Sequence, residues 1–364
     1  MFRGSRRLVH QAPTLSAVVP VYDVEEFLPA CLASIAAQDF TDYEVIIVDD
    51  GSPDDSVKIA ASHAEEDPRI RVVSQANAGL GAARNVGVEH ARGELLTFVD
   101  GDDELAPRAW SRMVETLQRT GSDLVAGKAV RDNGSRRWAM PRMKANHAAD
   151  RLSVTVEEMP GILADVFAWN KVYRRDFWVG NGLEFPQDVR YEDQPALTRA
   201  LLATRAFDVL SDTVYYWRVR ADGTSITQRR HELKDLEDRI LTKRDSAEQV
   251  RAYGVPGIRR TFHAEVLPVD MGAYFRAVPD CSEQYWRLLV DAVNEFWNDA
   301  TVPFENTLLP MRVRLMGWFV ARGRRNDLLA LLHFIDAHAG AIPREHGRPV
   351  HPWRNEPGLP DSLM

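Results

Sequence analysis

Residues Glu94–Glu104 read ELLTFVDGDDE. The apolar run Leu95, Leu96, Phe98 and Val99 predicts a buried strand, and it stops at Asp100, Asp102 and Asp103 with Gly101 among them. Aspartate is disfavoured in strands, and carboxylates this close repel unless an opposite charge offsets them. One reading is a divalent cation, Mn2+ or Mg2+, held by hard oxygen ligands. The other is an acidic turn ahead of the next helix, with Pro107 in its first turn. The residues of this stretch alone leave both open.

Upstream, Leu15–Val21 and Tyr43–Val48 predict further buried strands, the second ending at Asp49-Asp50-Gly51-Ser52. Helices are expected over Glu25–Gln38 and Ser56–Glu66, and a strand over Ile70–Val73. This short-spaced alternation predicts an α/β sheet with parallel strands, in which ligands bind off the carboxyl ends of the strands. Between the third strand and Asp100 lies QANAGLGAARNVGVEHARG, Gln75–Gly93. Gly79 and Gly81 make a loop that opens a helix from about Ala82 to Arg92, and a helix start favours an anion. Arg84 is either a phosphate contact or a solvated charge. The stretch is neither a dinucleotide fingerprint nor a P-loop.

Downstream, Trp110, Met113, Val114 and Leu117 recur at helical spacing and predict core. Asp123–Gly127 reads as a strand and Arg131–Lys144 as a basic, irregular loop. Ala168–Trp178, AWNKVYRRDFW, sets aromatic rings beside Asn170, Lys171, Arg174 and Arg175. Such a mixture suits either a sugar or an aromatic core with charges outside. Glu192-Asp193 immediately precede a predicted helix with Pro195 in its first turn. Asp193 can cap that helix and can equally accept a proton from a hydroxyl. Thr213–Val219 reads as a strand leading into Arg220–Thr227, a candidate lid that would bring Arg220 or Ser225 to a ligand.

After about residue 228 strand signals fade. Helices are expected over His231–Tyr253, Glu283–Asn298, Met311–Ala321 and Asp327–His338, with a break at Gly254–Gly257. Met311–Arg325 is basic and amphipathic, which fits packing between domains or an anionic membrane surface. The organisation expected is a basic tail (1–13), an α/β domain (14–228), a helical domain (229–340) and an irregular tail (341–364).

The 364 residues are 45% hydrophobic and 27% charged, ordinary for a chain with a sizeable core. The net charge of −8 argues against a nucleic-acid binder, and it means an anionic substrate needs local arginines or a metal. The two cysteines, Cys31 and Cys281, imply no disulfide framework or zinc site, and Cys31 falls on the apolar face of a helix. The ten histidines show no ligand spacing. No apolar run is long enough to span a bilayer, and a cytoplasmic protein is expected.

VVPVYDVEEFLPACLASIAAQ, VIIVDDGSPDDS, QANAGLGAARNVGV and LLTFVDGDDEL occur in this order. Together they resemble the family 2 glycosyltransferases, inverting enzymes with the GT-A (Rossmann-like) fold. The likeness is close over roughly the first 110 residues and looser through YEDQP to about residue 227. It implies an α/β nucleotide-sugar-binding domain with a C-terminal helical extension. It further implies that Pro20 and Tyr22 line the nucleotide pocket, that Asp50 binds the base (most often uracil), and that Asn77, Gly79 and Arg84 face base, ribose or diphosphate. Asp100 and Asp102 would form the metal motif for Mn2+ or Mg2+, with Asp103 beside the donor sugar or metal. Glu192-Asp193 would be the acidic pair whose second member, Asp193, is the base. The sequence departs at Asp23, where many relatives carry Asn.

The expected reaction is transfer from a nucleotide-sugar, a UDP-sugar by this likeness, to a hydroxyl of a glycan, polyol-phosphate or lipid-linked acceptor. The basic segments add an expected peripheral contact with the inner face of the cell membrane. A nucleotidyltransferase would carry a Gly- and Arg-rich loop after the first strand, where this chain has PVYDVEEF. A non-catalytic sugar-nucleotide-binding or scaffold protein would tolerate loss of the acids, yet all are present.

Overall fold

The computed structural model describes residues 12–220 and 230–364. These residues pack into two compact units. The first runs to Thr155 and adds Phe167–Asp188 and Ala203–Val219; the second takes Val156–Val166, Val189–Leu202 and the chain from Arg220 onward. The division differs from the single cut expected at residue 228. Two short excursions from the α/β half, one of them carrying Glu192-Asp193, pack with the helical half, a long-range outcome with no local signature.

The first unit is built on strands β1 (Leu15–Val21), β2 (Tyr43–Asp49), β3 (Ile70–Ser74) and β4 (Leu95–Phe98). They alternate with α1 (Leu28–Ala36), α2 (Ser56–Glu66) and α3 (Leu80–His90). Next come β5 (Glu104–Leu105), α4 (Ala109–Thr120), β6 (Leu124–Asp132), β7 (Arg137–Trp138), α5 (Pro141–Asn146) and β8 (Arg151–Val154). β9 (Lys171–Arg174), α6 (Arg175–Gly180) and β10 (Phe207–Arg218) complete it. Among the described residues the main path of the sheet is β3-β2-β1-β4-β9-β6-β10-β5. β3, β2, β1 and β4 run parallel, as expected. β9, however, is antiparallel to both β4 and β6, so the sheet is mixed beyond β4.

β1 and β2 are buried along their whole length, which is why they read as unbroken apolar runs. α4 presents Trp110, Met113, Val114 and Leu117 to the core, as their spacing predicts. Cys31 is fully buried beside them. Arg131–Lys144 is more ordered than the irregular loop expected. Arg131 stacks on Trp217 at 3.5 Å, Arg137 of β7 on Tyr216 at 3.6 Å, and Arg142 of α5 lies 5.3 Å from the Phe167 ring, so cation–π contacts tie β7 and α5 to the unit.

The second unit contains α7 (Asp193–Ala203), α8 (Leu233–Tyr253), α9 (Pro256–Thr261), α10 (Met271–Arg276), α11 (Glu283–Phe296), α12 (Met311–Ala321) and α13 (Arg325–Ala337). Gly254 ends α8 with φ +79°, a conformation glycine adopts without penalty. Leu315, Trp318 and Phe319 of α12 are buried, and this helix packs on α10, α11 and α13. Its apolar side is therefore occupied within the unit, by neighbouring helices of the same unit rather than by another domain. The residues after 340 are not irregular throughout. They form a hairpin of β11 (Arg344–Glu345) and β12 (Arg348–Pro349), and Trp353 packs edge-on against Phe319 at 5.5 Å.

Candidate active site

The parallel order β2-β1-β4 brings three polar strand ends side by side. Asp49 ends β2 and Asp50 follows it, Tyr22-Asp23 follow β1, and Asp100–Asp103 follow β4. This is the edge at which such sheets bind ligands. Tyr22 is 49% exposed, so its ring is available for contact, whereas Pro20 is buried within β1. Asp23 has φ +54°. Asn and Asp tolerate this left-handed backbone better than other side chains, a physical reason for the two to interchange at this point.

Asp50 is buried and its carboxylate is committed to the following loop. Oδ1 accepts from Gln75 Nε2 at 2.7 Å and from the Ala78 N–H at 2.8 Å, while Oδ2 accepts from the Gly79 N–H at 2.8 Å. Gly79 then starts α3 at φ +89°, ψ 165°, a conformation essentially restricted to glycine. Asp50 thus fixes the loop that carries exposed Asn77. The Ala78 and Gly79 N–H groups, just ahead of the helix start, are donated to Asp50.

Arg84 lies one turn into α3 and is 1% exposed. It donates to Asp100 Oδ1 at 2.8 Å, and its guanidinium sits 5.2 Å from the centre of the Phe185 ring. Of its two readings, the solvated charge is excluded. Asn85 holds Phe185 in place, donating to its carbonyl at 2.8 Å and accepting from its N–H at 2.9 Å.

The three acids after β4 have different surroundings. Asp100 is partly exposed beside Arg84, and its N–H donates to the Tyr215 hydroxyl at 3.0 Å. Asp102 is partly exposed, and its carbonyl accepts from Arg218 Nε at 2.8 Å. Asp103 is 2% exposed, and Oδ1 accepts from the Arg218 N–H at 2.7 Å. Burial, then the charges of Asp102 and Asp100, pushes the Asp103 carboxyl well above the usual range. Asp103, expected beside the donor sugar or metal, is buried within the turn. Its carboxylate turns inward and holds the turn.

Tyr215 and Arg218 were not anticipated as parts of this site. Both stand on β10, over a hundred residues away in sequence, and nothing local marks them. Tyr215 is fully buried and stacked on Trp169 at 4.2 Å. Of the two readings of Ala168–Trp178, the burial of its rings matches the aromatic core, although not all of its polar side chains lie outside. Asn170 and Lys171 are completely buried, and Lys171 Nζ donates to the Phe167 carbonyl at 2.7 Å and to Asn170 Oδ1 at 2.8 Å.

Asp100 and Asp102 offer hard oxygen ligands next to an arginine. No group of three or more His, Cys, Asp or Glu side chains that could hold a metal converges among the described residues. Two carboxylates suit Mg2+ or Mn2+, which commonly bind through one or two protein carboxylates and complete their shell with substrate phosphates and water. The residues present therefore fit such a cation. Within the second unit, Glu192 is 6% exposed and Asp193 is the first residue of α7. Arg220 adjoins the undescribed residues 221–229; Ser225 and Thr227 lie outside the described residues.

The mixed sheet with its polar strand ends has the GT-A fold. The chain matches the model of glycosyl transferase family 2 over residues 16–178. It is 35% identical over 211 residues to the glycosyltransferase EpsJ of Bacillus subtilis (strain 168), covering 57% of this chain and 61% of EpsJ. It is 28% identical over 212 residues to the poly(ribitol-phosphate) beta-N-acetylglucosaminyltransferase TarS of Staphylococcus aureus (strain MW2), covering 57% of this chain and 36% of TarS. The matched part thus spans less than two thirds of either relative. In three dimensions the chain resembles S. aureus TarS 1-349 in complex with UDP-GlcNAc, with TM-score 0.60 and 20% identity over 92% of this chain and 95% of that one. It also resembles the mannosyltransferase PcManGT from Pyrobaculum calidifontis in complex with GDP-Man and Mn2+, with TM-score 0.51 and 15% identity over 89% and 87% of the two chains. Among the described residues no helix is long and apolar enough to cross a membrane.

Proposed function

We propose that this protein is a cytoplasmic, metal-assisted, inverting glycosyltransferase that moves a sugar from a UDP-sugar to a hydroxyl of a glycan, polyol-phosphate or lipid-linked acceptor. The observation that carries the reading is the buried Arg84 guanidinium joined to Asp100, with Asp102 beside it, off the carboxyl ends of parallel strands. A cation next to paired carboxylates is the arrangement a nucleoside diphosphate needs, since its negative charge grows as the bond to the sugar breaks. TarS supports UDP-GlcNAc as a donor by its complex and a polyol phosphate as acceptor by its name.

Each residue's role follows from its chemistry. Asp50 shapes the Gln75–Gly79 loop, so that Asn77 and the exposed ring of Tyr22 can face the nucleotide; contact of Asp50 with the base is part of the same proposal. Arg84 offers positive charge to the diphosphate. Asp100 and Asp102 would hold the Mn2+ or Mg2+, which when bound supplies Lewis-acid neutralisation of the leaving diphosphate. Asp193 takes the proton of the acceptor hydroxyl as its oxygen attacks the anomeric carbon. The C1–O bond to the diphosphate breaks, the new C1–O bond forms on the opposite face, and UDP departs, so one displacement inverts the anomeric centre. Glu192 and Arg220 are assigned to substrate binding.

UDP release from UDP-GlcNAc, UDP-glucose and other UDP-sugars, with Mn2+ and with chelator, tests this reading. Turnover of one donor with metal and none with chelator supports it. A protein that binds and turns over no UDP-sugar refutes the uridine assignment.

A further inference from the structure

Tyr191, the residue before the Glu192-Asp193 pair, has φ +67°. For a bulky side chain this left-handed backbone is an outlier that costs about 1–3 kcal/mol and persists only where the surroundings impose it. The surroundings here belong to α8 and α10. The Tyr191 hydroxyl donates to Asp235 at 2.9 Å from Oδ1 and 3.0 Å from Oδ2. Tyr274 donates to Asp235 Oδ2 at 2.9 Å, and Arg190 to Oδ1 at 3.1 Å. Asp235 is fully buried. The Arg239 guanidinium covers the Tyr191 ring at 4.6 Å and is itself fixed by an ion pair with Asp270. Burial foremost, with the charge of Asp235 adding to it, pushes the Tyr191 hydroxyl up to about 12, so it remains a donor across the physiological range.

The other end of Tyr191 frames the acids directly. Its carbonyl accepts from the Gln194 N–H at 3.2 Å, closing the turn that contains Glu192 and Asp193 and launches α7. One side chain is therefore tied to a buried carboxylate of α8 while its own backbone sets the direction of the two acids.

We infer that Asp235 is a positioning residue for Asp193, acting through Tyr191, and that holding this turn is a function of the helical unit. The inference rests on the reading of Asp193 as base. A group that must meet an acceptor hydroxyl loses rate steeply when it moves by an ångström, and a strained turn with no anchor relaxes.

Tyr191→Phe keeps the ring and removes only its hydroxyl. With UDP-GlcNAc and UDP-glucose as donors and poly(ribitol phosphate) as acceptor, the variant is expected to lose about tenfold or more in kcat for transfer. Donor KM and slow donor hydrolysis stay near wild type. In Asp193→Asn the same change has no further effect, because the residue it positions is gone. Amide exchange at Gln194 is expected to speed up about tenfold while the rest of α8 keeps its protection. Asp235→Asn, which keeps the shape of the acceptor, reproduces both effects if it folds; the Tyr191→Phe result stands without it. Tyr191→Phe with wild-type kcat and wild-type Gln194 exchange overturns the inference. So does a parallel loss of transfer, hydrolysis and melting temperature, which marks a merely structural role. Normal transfer by Asp193→Asn overturns the base reading alone, and wild type inactive on both donors overturns the donor and acceptor choice. In either event the exchange at Gln194 still decides whether Asp235 holds the turn.

Discussion

Arg84 donates to Asp100 across 2.8 Å with the arginine 1% and the aspartate 21% exposed. The pair links α3 to the end of β4. It joins two residues expected to do separate work, one on an anion and one on a metal. Asp100 holds Arg84 in place, and Arg84 offsets part of the repulsion among the acids after β4.

Replacing this arginine separates charge from packing. Arg84→Met keeps most of the buried volume but leaves Asp100 without its cation. Breaking a fully buried pair costs about 3–5 kcal/mol, and the partial exposure of Asp100 lowers the expected cost to about 1–3 kcal/mol. UDP release is expected to fall about 100-fold or more, as when a charge-stabilising donor is removed from an active site. Urea unfolding and UDP release together check this. A variant that loses stability and keeps its turnover would show Arg84 to be structural.

Asp102→Ala removes one of the two proposed cation ligands without touching the Arg84–Asp100 pair. The Mn2+ concentration for half-maximal UDP release is expected to rise at least about tenfold, since even outer partners of metal ligands are worth 10–100-fold. A metal titration of wild type and variant gives the answer. Superimposable curves would remove Asp102 from the metal assignment.

Gly87 is where α3 crosses β1. A Cβ there would lie 2.2 Å from Val18 Cγ1, and Val18 is in the middle of a strand paired on both sides. Gly87→Ala is expected to destabilise by about 1–3 kcal/mol through overpacking. Adding Val18→Ala makes room and is expected to recover part of the loss, read as the urea midpoint of the single and double variants.

Glu44 gives the unit an acid-sensitive joint. Its carboxylate is buried between β1 and the end of α3, accepting from Ser16 Oγ at 2.7 Å and from Arg92 N, Nε and Nη2 at 2.6–2.9 Å, with Arg71 Nη2 at 3.0 Å. Burial pushes its pKa up, but the bonds from Arg92 and Ser16 outweigh that and hold it below the ordinary glutamate value. A carboxyl depressed in the folded state contributes stability above the unfolded value, near pH 4.3, and loses it as pH falls through the folded value. Wild type is therefore expected to lose stability more steeply than Glu44→Gln below about pH 4.5. Urea midpoints from pH 7 down to pH 3.5 measure the difference, and equal slopes would contradict it.

Much of this was legible in the residues. The strands β1, β2 and β4 are runs of buried apolar side chains cut short by Asp and Gly, a local pattern that parallel strands covered on both faces produce. Their order in sequence, with helices between, implied that the acidic ends would gather at one edge. The helical half was equally plain from its spacing, because the periodicity that buries one side of a helix is written in consecutive residues.

What sequence by itself determined was therefore which residues are apolar, where each element stops, and which acids stand at strand ends. Only the tertiary structure decided where those acids point. Asp100 and Asp103 are three residues apart, yet one is partly open beside Arg84 and the other is turned in toward Arg218. Lys171, which read as a sugar contact or an outside charge among aromatic rings, is buried with its ammonium on the Phe167 carbonyl. Tyr191 takes its unusual backbone from Asp235, 44 positions further along the chain. In each case the deciding partner is remote in sequence. Burial, desolvation and hydrogen bonding act between whatever groups the folded chain brings together, and a local pattern carries no record of them.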